Sequence, residues 1–181
     1  MNKHRKREPF KKSSLSQVFL RDEGPCYKMI KSLQLAGVEK VCEIGPGGGV
    51  LTKLLLDANI KVTAVEKDKR FFDYLNGLNH PHKKNLEVIN DDFLDFDLEK
   101  WISENKEKKI AICGNIPYSI STYIVIKTIA QLKSLCGVWL LVQYDFAKRL
   151  AAQPSNKDYG SFSVYSQLRA EVTLDFFVER I

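Results

Sequence analysis

Val41-Cys42-Glu43-Ile44-Gly45-Pro46-Gly47-Gly48-Gly49 is the stretch that decides the fold, because a short apolar run leads directly into a glycine-rich turn. The apolar run predicts a buried β-strand that ends at Gly45, and the periodicity of residues 50–58 predicts a helix directly after the glycines. Glycine lets the backbone turn sharply and approach a ligand closely. A strand, a glycine turn and a helix in this order are typical of a cofactor site in an α/β protein.

Further apolar segments rich in β-branched residues alternate with helical patterns along the chain. This alternation predicts an α/β fold with an open, mainly parallel sheet and helices on both faces. Ligands of such sheets bind beyond the carboxyl ends of the strands. The other predicted strands are residues 61–66, 86–89, 110–113, 137–143 and 172–178, and the other predicted helices are residues 68–77 and 119–132.

Glu66 ends the second predicted strand, 21 positions after Gly45. A carboxylate there can accept hydrogen bonds from both ribose hydroxyls of an adenosine group, which NAD and S-adenosylmethionine share. Two features favour S-adenosylmethionine. Val50 stands where the GxGxxG dinucleotide motif has its third glycine, and Glu43 precedes the glycines, where an acid can hold a cationic or amino-bearing ligand through the loop. An NAD-dependent dehydrogenase is the less favoured alternative.

Asn90-Asp91-Asp92-Phe93 follows the third predicted strand. An acid at this place can accept a hydrogen bond from the exocyclic amine of the cofactor's adenine, and the aromatic side chain of Phe93 can pack on the ring. The competing interpretation is that Asp91 and Asp92 only form a turn or cap a helix. The spacing favours a cofactor role for one of the two carboxylates.

Gly114-Asn115-Ile116-Pro117-Tyr118 follows the fourth predicted strand, at the same edge of the sheet. The exocyclic amine of adenine is a poor nucleophile, and two acceptors that grip its N–H bonds can favour a more pyramidal nitrogen. The side-chain oxygen of Asn115 and the carbonyl of Ile116, which Pro117 holds in an extended conformation, can be those acceptors. The Tyr118 ring can stack on an extruded base. An ordinary Asn-Pro turn is the alternative, and the position of the segment favours catalysis.

The composition indicates one folded domain, because 44% of the 181 residues are hydrophobic and 28% are charged. The net charge of +6 suits a polyanionic partner such as nucleic acid. Residues 1–14 form a basic arm that we expect to be flexible, and residues 15–181 form the predicted catalytic domain. We expect no membrane partner, because no apolar run approaches the length of a membrane helix. We also expect the protein to be a monomer.

The four cysteines do not form a CxxC pair, and the chain has three histidines, so we expect no metal site. Cys42 and Cys113 lie in apolar runs and are predicted to be small buried side chains. Reduced thiols indicate a cytoplasmic location.

Taken together, these motifs resemble the ribosomal RNA adenine dimethyltransferase family, and the resemblance runs from about Leu15 to the end of the chain. It implies a Rossmann-like class I S-adenosylmethionine-dependent methyltransferase that dimethylates two adjacent adenines of small-subunit rRNA during ribosome biogenesis. The motifs in chain order are Ser16-Gln17-Val18-Phe19-Leu20, Glu43-Ile44-Gly45-Pro46-Gly47, Val65-Glu66-Lys67-Asp68, Asp92, Asn115-Ile116-Pro117-Tyr118-Ser119-Ile120-Ser121-Thr122, Gln143, and the RLAA and DYG motifs within residues 149–160.

The resemblance also implies roles for individual residues. The segment from Ser16 closes over the cofactor, with contacts from Val18 and Leu20. Val18 replaces the asparagine that is usual in the family, so that a side-chain contact is lost there and a backbone contact can remain. The cofactor-binding residues are then Val18, Leu20, Glu43, Gly45, Gly47, Glu66, Lys67, Asp92, Phe93 and Asn115, and the catalytic residues are Asn115, Pro117 and Tyr118.

Residues 149–160 separate this family from the macrolide-resistance methyltransferases of large-subunit rRNA, which share the glycine and NIPY motifs. Family members continue after the sixth strand with an aromatic-bearing loop and a small helical domain that docks on rRNA. The sequence ends before them, so we expect a truncated catalytic domain that binds cofactor but methylates ribosomal substrate poorly. A large-subunit methyltransferase, a DNA adenine methyltransferase and an RNA-binding assembly factor with little catalysis remain alternatives.

Overall fold

The computed structural model describes residues 23–106 and 108–177. Its centre is one sheet of five parallel strands in the order β3-β2-β1-β4-β5. The strands are β1 Lys40–Ile44, β2 Lys61–Val65, β3 Leu86–Ile89, β4 Ile110–Asn115 and β5 Val138–Leu141. The α-helices are α1 Gly24–Leu35, α2 Val50–Asp57, α3 Lys69–Asn76, α4 Leu98–Glu104, α5 Ser121–Ala130, α6 Tyr144–Ala151 and α7 Ser161–Gln167.

Both faces of the sheet are covered, as the alternating pattern of the sequence predicts. Successive residues of a strand point to opposite faces. On β1, Val41 therefore packs with α1 and α2, whereas Cys42 and Ile44 pack with α4 and α5. The prediction of an α/β fold with a parallel sheet and helices on both faces is confirmed, and so is the burial of Cys42 and Cys113.

Local signals in the sequence set several element boundaries. The side chain of Asp68 accepts a hydrogen bond from the Arg70 amide and caps α3, which ends before Gly77. Between β1 and α2 the chain turns through Gly45, Gly47 and Gly49, which all have positive φ angles.

The predicted sixth strand is wrong for the part that the structure describes, because residues 171–177 form no strand. Their aromatic side chains pack against helices instead. The Phe177 ring lies 4.7 Å from the Tyr144 ring of α6, and the Lys28 ammonium of α1 lies 5.1 Å from the Phe176 ring. Packing against α1 and α6 thus replaces pairing with the edge strand β5.

The predicted helix 119–132 is divided into three pieces. A 3₁₀ turn at Tyr118–Ile120 precedes α5, and a second 3₁₀ turn follows at Leu132–Ser134. The hydroxyl of Ser121 donates to the Pro117 carbonyl at 3.0 Å, which ties the start of α5 to the segment before it.

Neither a membrane-spanning helix nor a metal centre is present in the described residues. None of their helices combines the length and apolarity that crossing a membrane requires. The same residues contain no group of three or more His, Cys, Asp or Glu side chains placed to hold a metal ion.

Candidate active site at the carboxyl edge of the sheet

The strand register brings the predicted site segments to one edge of the sheet. Ile44 pairs with Gly114 and also with Val65, so Gly45 lies between Asn115 on one side and Glu66 on the other. Val65 pairs with Ile89, which puts residues 90–93 beyond Glu66. The strands β2 and β4 lie on opposite sides of β1, so the strand order reverses at β1. The glycine loop and Asn115 flank this switch point, where open α/β sheets bind ligands.

The glycine loop combines positive φ angles with open space. The φ angles of Gly45 and Gly47 are 58° and 53°, and a Cβ atom on either residue would meet no atom within 4 Å. A Cβ on Gly49 would instead lie 2.6 Å from the Leu75 side chain. Gly45 and Gly47 therefore leave the loop backbone accessible to a ligand, whereas Gly49 is needed for the packing of α2 against α3.

Glu66 lies directly after β2 and is almost completely buried, with 5% of its surface exposed. One carboxylate oxygen accepts from the Gly47 amide at 2.9 Å, and the other accepts from the Asp68 amide at 2.7 Å. Burial raises the pKa of Glu66, and these backbone hydrogen bonds oppose the rise. The carboxylate thus fixes the glycine loop, and its further lone pairs can accept from hydroxyl groups.

Glu43 lies beneath the loop in β1, with 1% of its surface exposed. Its Oε2 atom accepts from the Thr52 hydroxyl at 2.7 Å. Burial raises the pKa of Glu43 to about 8, although the Thr52 hydrogen bond opposes the shift. The Glu43 side chain is therefore bonded to α2 and does not lie on the surface of the edge, so its predicted contact with the cofactor through the loop stays a prediction.

Asp92 lies in the turn after β3. The Leu94 amide donates to Asp92 Oδ1 at 3.0 Å, and the Lys67 ammonium lies 2.5 Å from Oδ2. The Lys67 hydrogen bond lowers the pKa of Asp92. Two of the predicted cofactor residues, Lys67 and Asp92, are thus in direct contact. Asp91 supports this turn, because its side chain accepts from the Asp92 amide at 2.8 Å.

The structure places two residues near this turn, Phe93 and Asn90, in settings that the sequence does not predict. Phe93 is 4% exposed and packs with Phe96 at a ring distance of 6.1 Å, so it lies in the core beneath the turn. Its packing on a cofactor ring stays a prediction. Sequence analysis gave no role to Asn90, whose amide donates to the Glu66 carbonyl at 2.8 Å and joins the ends of β2 and β3. The sequence feature that could have indicated this role is the position of Asn90 directly after a strand and before two acidic residues.

Asn115 is the last residue of β4, two residues beyond the predicted end of this strand. Gly114 allows the close approach to β1, because a Cβ there would lie 2.8 Å from the Ile44 carbonyl oxygen. The Ile116 amide donates to the Leu141 carbonyl at 2.9 Å, and the Ile116 side chain is buried. Pro117 is extended, with φ −65° and ψ 143°. The backbone of the segment is therefore anchored on both sides.

Tyr118 is 49% exposed at this edge. Its hydroxyl accepts from the Arg149 guanidinium at 3.3 Å, and Arg149 lies on α6. The backbone carbonyl of Arg149 accepts from the hydroxyl of Ser163 on α7, and the Lys148 ammonium lies 3.2 Å from Asp158. The motif residues 149–160 thus comprise the end of α6 and the connection to α7, beside Tyr118. The predicted contacts of Val18 and Leu20 lie outside the described residues.

Comparisons with known proteins find sequence similarity over most of the chain. The sequence model described as "Ribosomal RNA adenine dimethylase" matches residues 9–179. "Ribosomal RNA small subunit methyltransferase A" of Chlorobium phaeobacteroides (strain BS1) is 39% identical over 169 residues, which are 93% of this chain and 62% of the relative. The protein of the same name from Mycoplasmopsis synoviae (strain 53) is 36% identical, with the same shares covered. The chain spans about three fifths of the length of these curated relatives.

Two solved structures share the fold. A dimethyladenosine transferase from Plasmodium falciparum superposes with a TM-score of 0.61 and 25% identity, covering 83% of this chain and 52% of that one. The 23S rRNA methyltransferase ErmE superposes with a TM-score of 0.58 and 29% identity, covering 82% and 55%. The prediction of a Rossmann-like class I methyltransferase fold is confirmed.

Proposed function

Because the chain belongs to the ribosomal RNA adenine dimethylase family, we propose that it transfers methyl groups from S-adenosylmethionine to the exocyclic N6 of adenines in small-subunit rRNA. We propose further that it dimethylates two adjacent adenosines during ribosome biogenesis in the cytoplasm, as a monomer. One observation carries the proposal. The glycine loop follows β1, and Asn115 ends the neighbouring strand β4, at the switch point of the sheet. A cofactor held by the loop therefore meets a base held by Asn115.

The residues present fit S-adenosylmethionine. Gly45 and Gly47 border open space, the Glu66 carboxylate lies at the end of the next strand, and Asp92 lies one strand further. Glu66 would hold the ribose hydroxyls, and Asp92 would hold the adenine amine. When bound, the cofactor supplies an electrophilic methyl group. None of these interactions requires a phosphate group on the ligand, which agrees with the choice of S-adenosylmethionine over NAD.

The residues of β4 and the turn after it would handle the target base. The Asn115 side-chain oxygen and the Ile116 carbonyl accept hydrogen bonds from the two N–H groups of the amine and favour its pyramidal form. The Tyr118 ring, exposed at the edge, stacks on the base. Catalysis is then mainly positioning and hydrogen bonding. Pro117 contributes by holding the preceding carbonyl in place.

The decisive experiment is mass spectrometry of small-subunit and large-subunit rRNA after incubation with the chain and labelled S-adenosylmethionine. The proposal expects label on two adjacent adenines of small-subunit rRNA, with up to two methyl groups on each, and the label should accumulate slowly because the sequence predicts poor methylation of ribosomal substrate by this chain. Asn115→Ala should lower the methylation rate by about a hundredfold or more while RNA binding is retained. Label that appears only on large-subunit rRNA would instead support the macrolide-resistance type of activity, which the similarity to ErmE brings into consideration.

RNA binding without label on any adenine would support an assembly factor. Calorimetry with S-adenosylmethionine and NAD provides an independent check, because a chain that binds only NAD contradicts the proposed cofactor. The two measurements separate a failure of cofactor binding from a failure of RNA delivery.

A further inference from the structure

Lys127 lies on α5 and reaches the turn after β3 with its side chain. Its ammonium group donates to the carbonyl oxygens of Leu94 and Phe96, both at 2.7 Å. It also lies 5.5 Å from the centre of the Phe93 ring. The side chain is half-buried, so the two hydrogen bonds are made in a partly desolvated place, where charge-assisted bonds are strong.

The turn that Lys127 holds is the one that carries Asp92. The Leu94 amide donates to Asp92 Oδ1 at 3.0 Å, and the amides of Asp95 and Phe96 both donate to the Asp92 carbonyl at 2.9 Å. The carbonyls of the turn thus bond to α5, while its amides bond to Asp92. Lys127 thus bonds to the same turn whose backbone amides bond to Asp92.

The other end of α5 is tied to the catalytic segment. The Ser121 hydroxyl donates to the Pro117 carbonyl at 3.0 Å. From Ser121 to Lys127 the helix rises about 9 Å, at roughly 1.5 Å for each residue. One helix thus links the segment Asn115–Tyr118 to the turn of Asp92 through hydrogen bonds at both ends.

We propose that Lys127 is a positioning residue, which holds the Asp92 carboxylate at a fixed place relative to Asn115–Tyr118. A cofactor that is recognised through its 6-amino group is then held in a fixed position relative to the base. This inference rests on the proposed function, since it takes the adenine of S-adenosylmethionine as the ligand of Asp92. Lys127 touches neither cofactor nor base and acts through the turn.

The test measures recognition of the 6-amino group by calorimetry. The probes are S-adenosylhomocysteine and its analogue in which hydrogen replaces the 6-amino group. The unmodified chain should prefer S-adenosylhomocysteine by about tenfold, the size expected for one hydrogen bond to a charged group. Lys127→Met should reduce this preference to less than about threefold, because the carboxylate is no longer held in place.

Lys40→Met is the matched control. Lys40 donates to Asn105 at 3.1 Å and lies 5.8 Å from the Trp101 ring, so it has a comparable partly buried setting. It lies at the opposite end of the sheet, where β1 begins. This variant should keep the full preference. Lys127→Arg should also keep most of it, because the charge and the donors remain.

The outcomes separate this inference from the proposed function. A full preference in Lys127→Met, or an equal loss in Lys127→Met and Lys40→Met, overturns the positioning role. A loss in Lys127→Arg as complete as in Lys127→Met overturns it as well. Lys127→Gln, whose uncharged amide is too short to reach both carbonyls, carries the same expectation should Lys127→Met not fold. An unmodified chain that binds neither probe contradicts the proposed function itself.

Discussion

The two halves of the edge hold their functional side chains in different ways. In the cofactor half, formed by β1–β3 and the loops after them, Glu66 is 5% exposed and accepts from two backbone amides. In the base half, formed by β4, β5 and α5–α7, Tyr118 is 49% exposed and bonds to the exposed Arg149 at 3.3 Å. Backbone hydrogen bonds of the protein itself hold the Glu66 carboxylate, whereas the Tyr118 ring stays accessible at the surface.

We expect the largest effect from Glu66→Gln, which tests the cofactor half. The amide group would face one of the two backbone N–H donors, and the charge that favours the ribose hydroxyls would be lost. We expect the affinity for S-adenosylmethionine to fall about a hundredfold, measured by calorimetry. Glu99→Gln, at an exposed position on α4, is the control and should bind normally. Equal affinities for the two variants would show that Glu66 does not organise the cofactor half.

Tyr118→Ala tests the base half. Stacking of a base on an aromatic ring contributes about 1–3 kcal/mol, so methylation at low RNA concentration should fall about tenfold to a hundredfold. Tyr118→Phe should stay within about threefold, because an exposed hydrogen bond contributes little. Both variants should bind S-adenosylmethionine normally. Tyr123→Ala is the control, because Tyr123 lies on α5 and 64% of its surface is exposed. A similar loss in both alanine variants would argue against stacking on Tyr118.

Gly47 and Gly49 lie in one loop, and substituting each of them distinguishes a role in cofactor binding from a role in packing. Gly49→Ala should lower the free energy of unfolding by about 2 kcal/mol, because it adds strain and its Cβ meets the fully buried Leu75. Gly47→Ala should cost about 1 kcal/mol, from its positive φ alone, and should weaken cofactor binding. Urea unfolding and calorimetry give the two quantities. The comparison fails if Gly47→Ala is the less stable variant.

Glu43 gives the most gradual effect. Its pKa in the folded protein is about 8, above the ordinary 4.5, so between these values the folded chain keeps a proton that the unfolded chain has released. Stability contributed by this group is present below pH 4.5 and is lost as pH rises towards 8. Glu43→Gln should therefore gain stability relative to the unmodified chain by up to about 1.4 kcal/mol for each pH unit in this window. If urea unfolding gives the same dependence of the free energy of unfolding on pH for Glu43→Gln and for the unmodified chain, this expectation is wrong.

The sequence predicted the cofactor half more completely than the base half. The ends of β1–β3, the N-cap at Asp68 and the turns at the glycines depend on local patterns, and the structure places them at or within one residue of their predicted positions. The helices α1, α4, α6 and α7 were not assigned, because their patterns are short or lack a clear start. The sixth strand is wrong for its described part because residues 172–177 alternate in polarity, yet Phe176 contacts α1 and Phe177 contacts α6 without strand pairing.

By itself, the sequence determined the order of the five strands, the glycine turn and the chemical groups that follow each strand, because these depend on neighbouring residues. Only the tertiary structure decided which groups meet. The register of β1 with β2 and β4 sets Glu66 and Asn115 on either side of Gly45, and the length of α5 brings Lys127 to the turn of Asp92. Such contacts join residues far apart in the chain, and their geometry follows from strand pairing and helix packing, which no local pattern specifies.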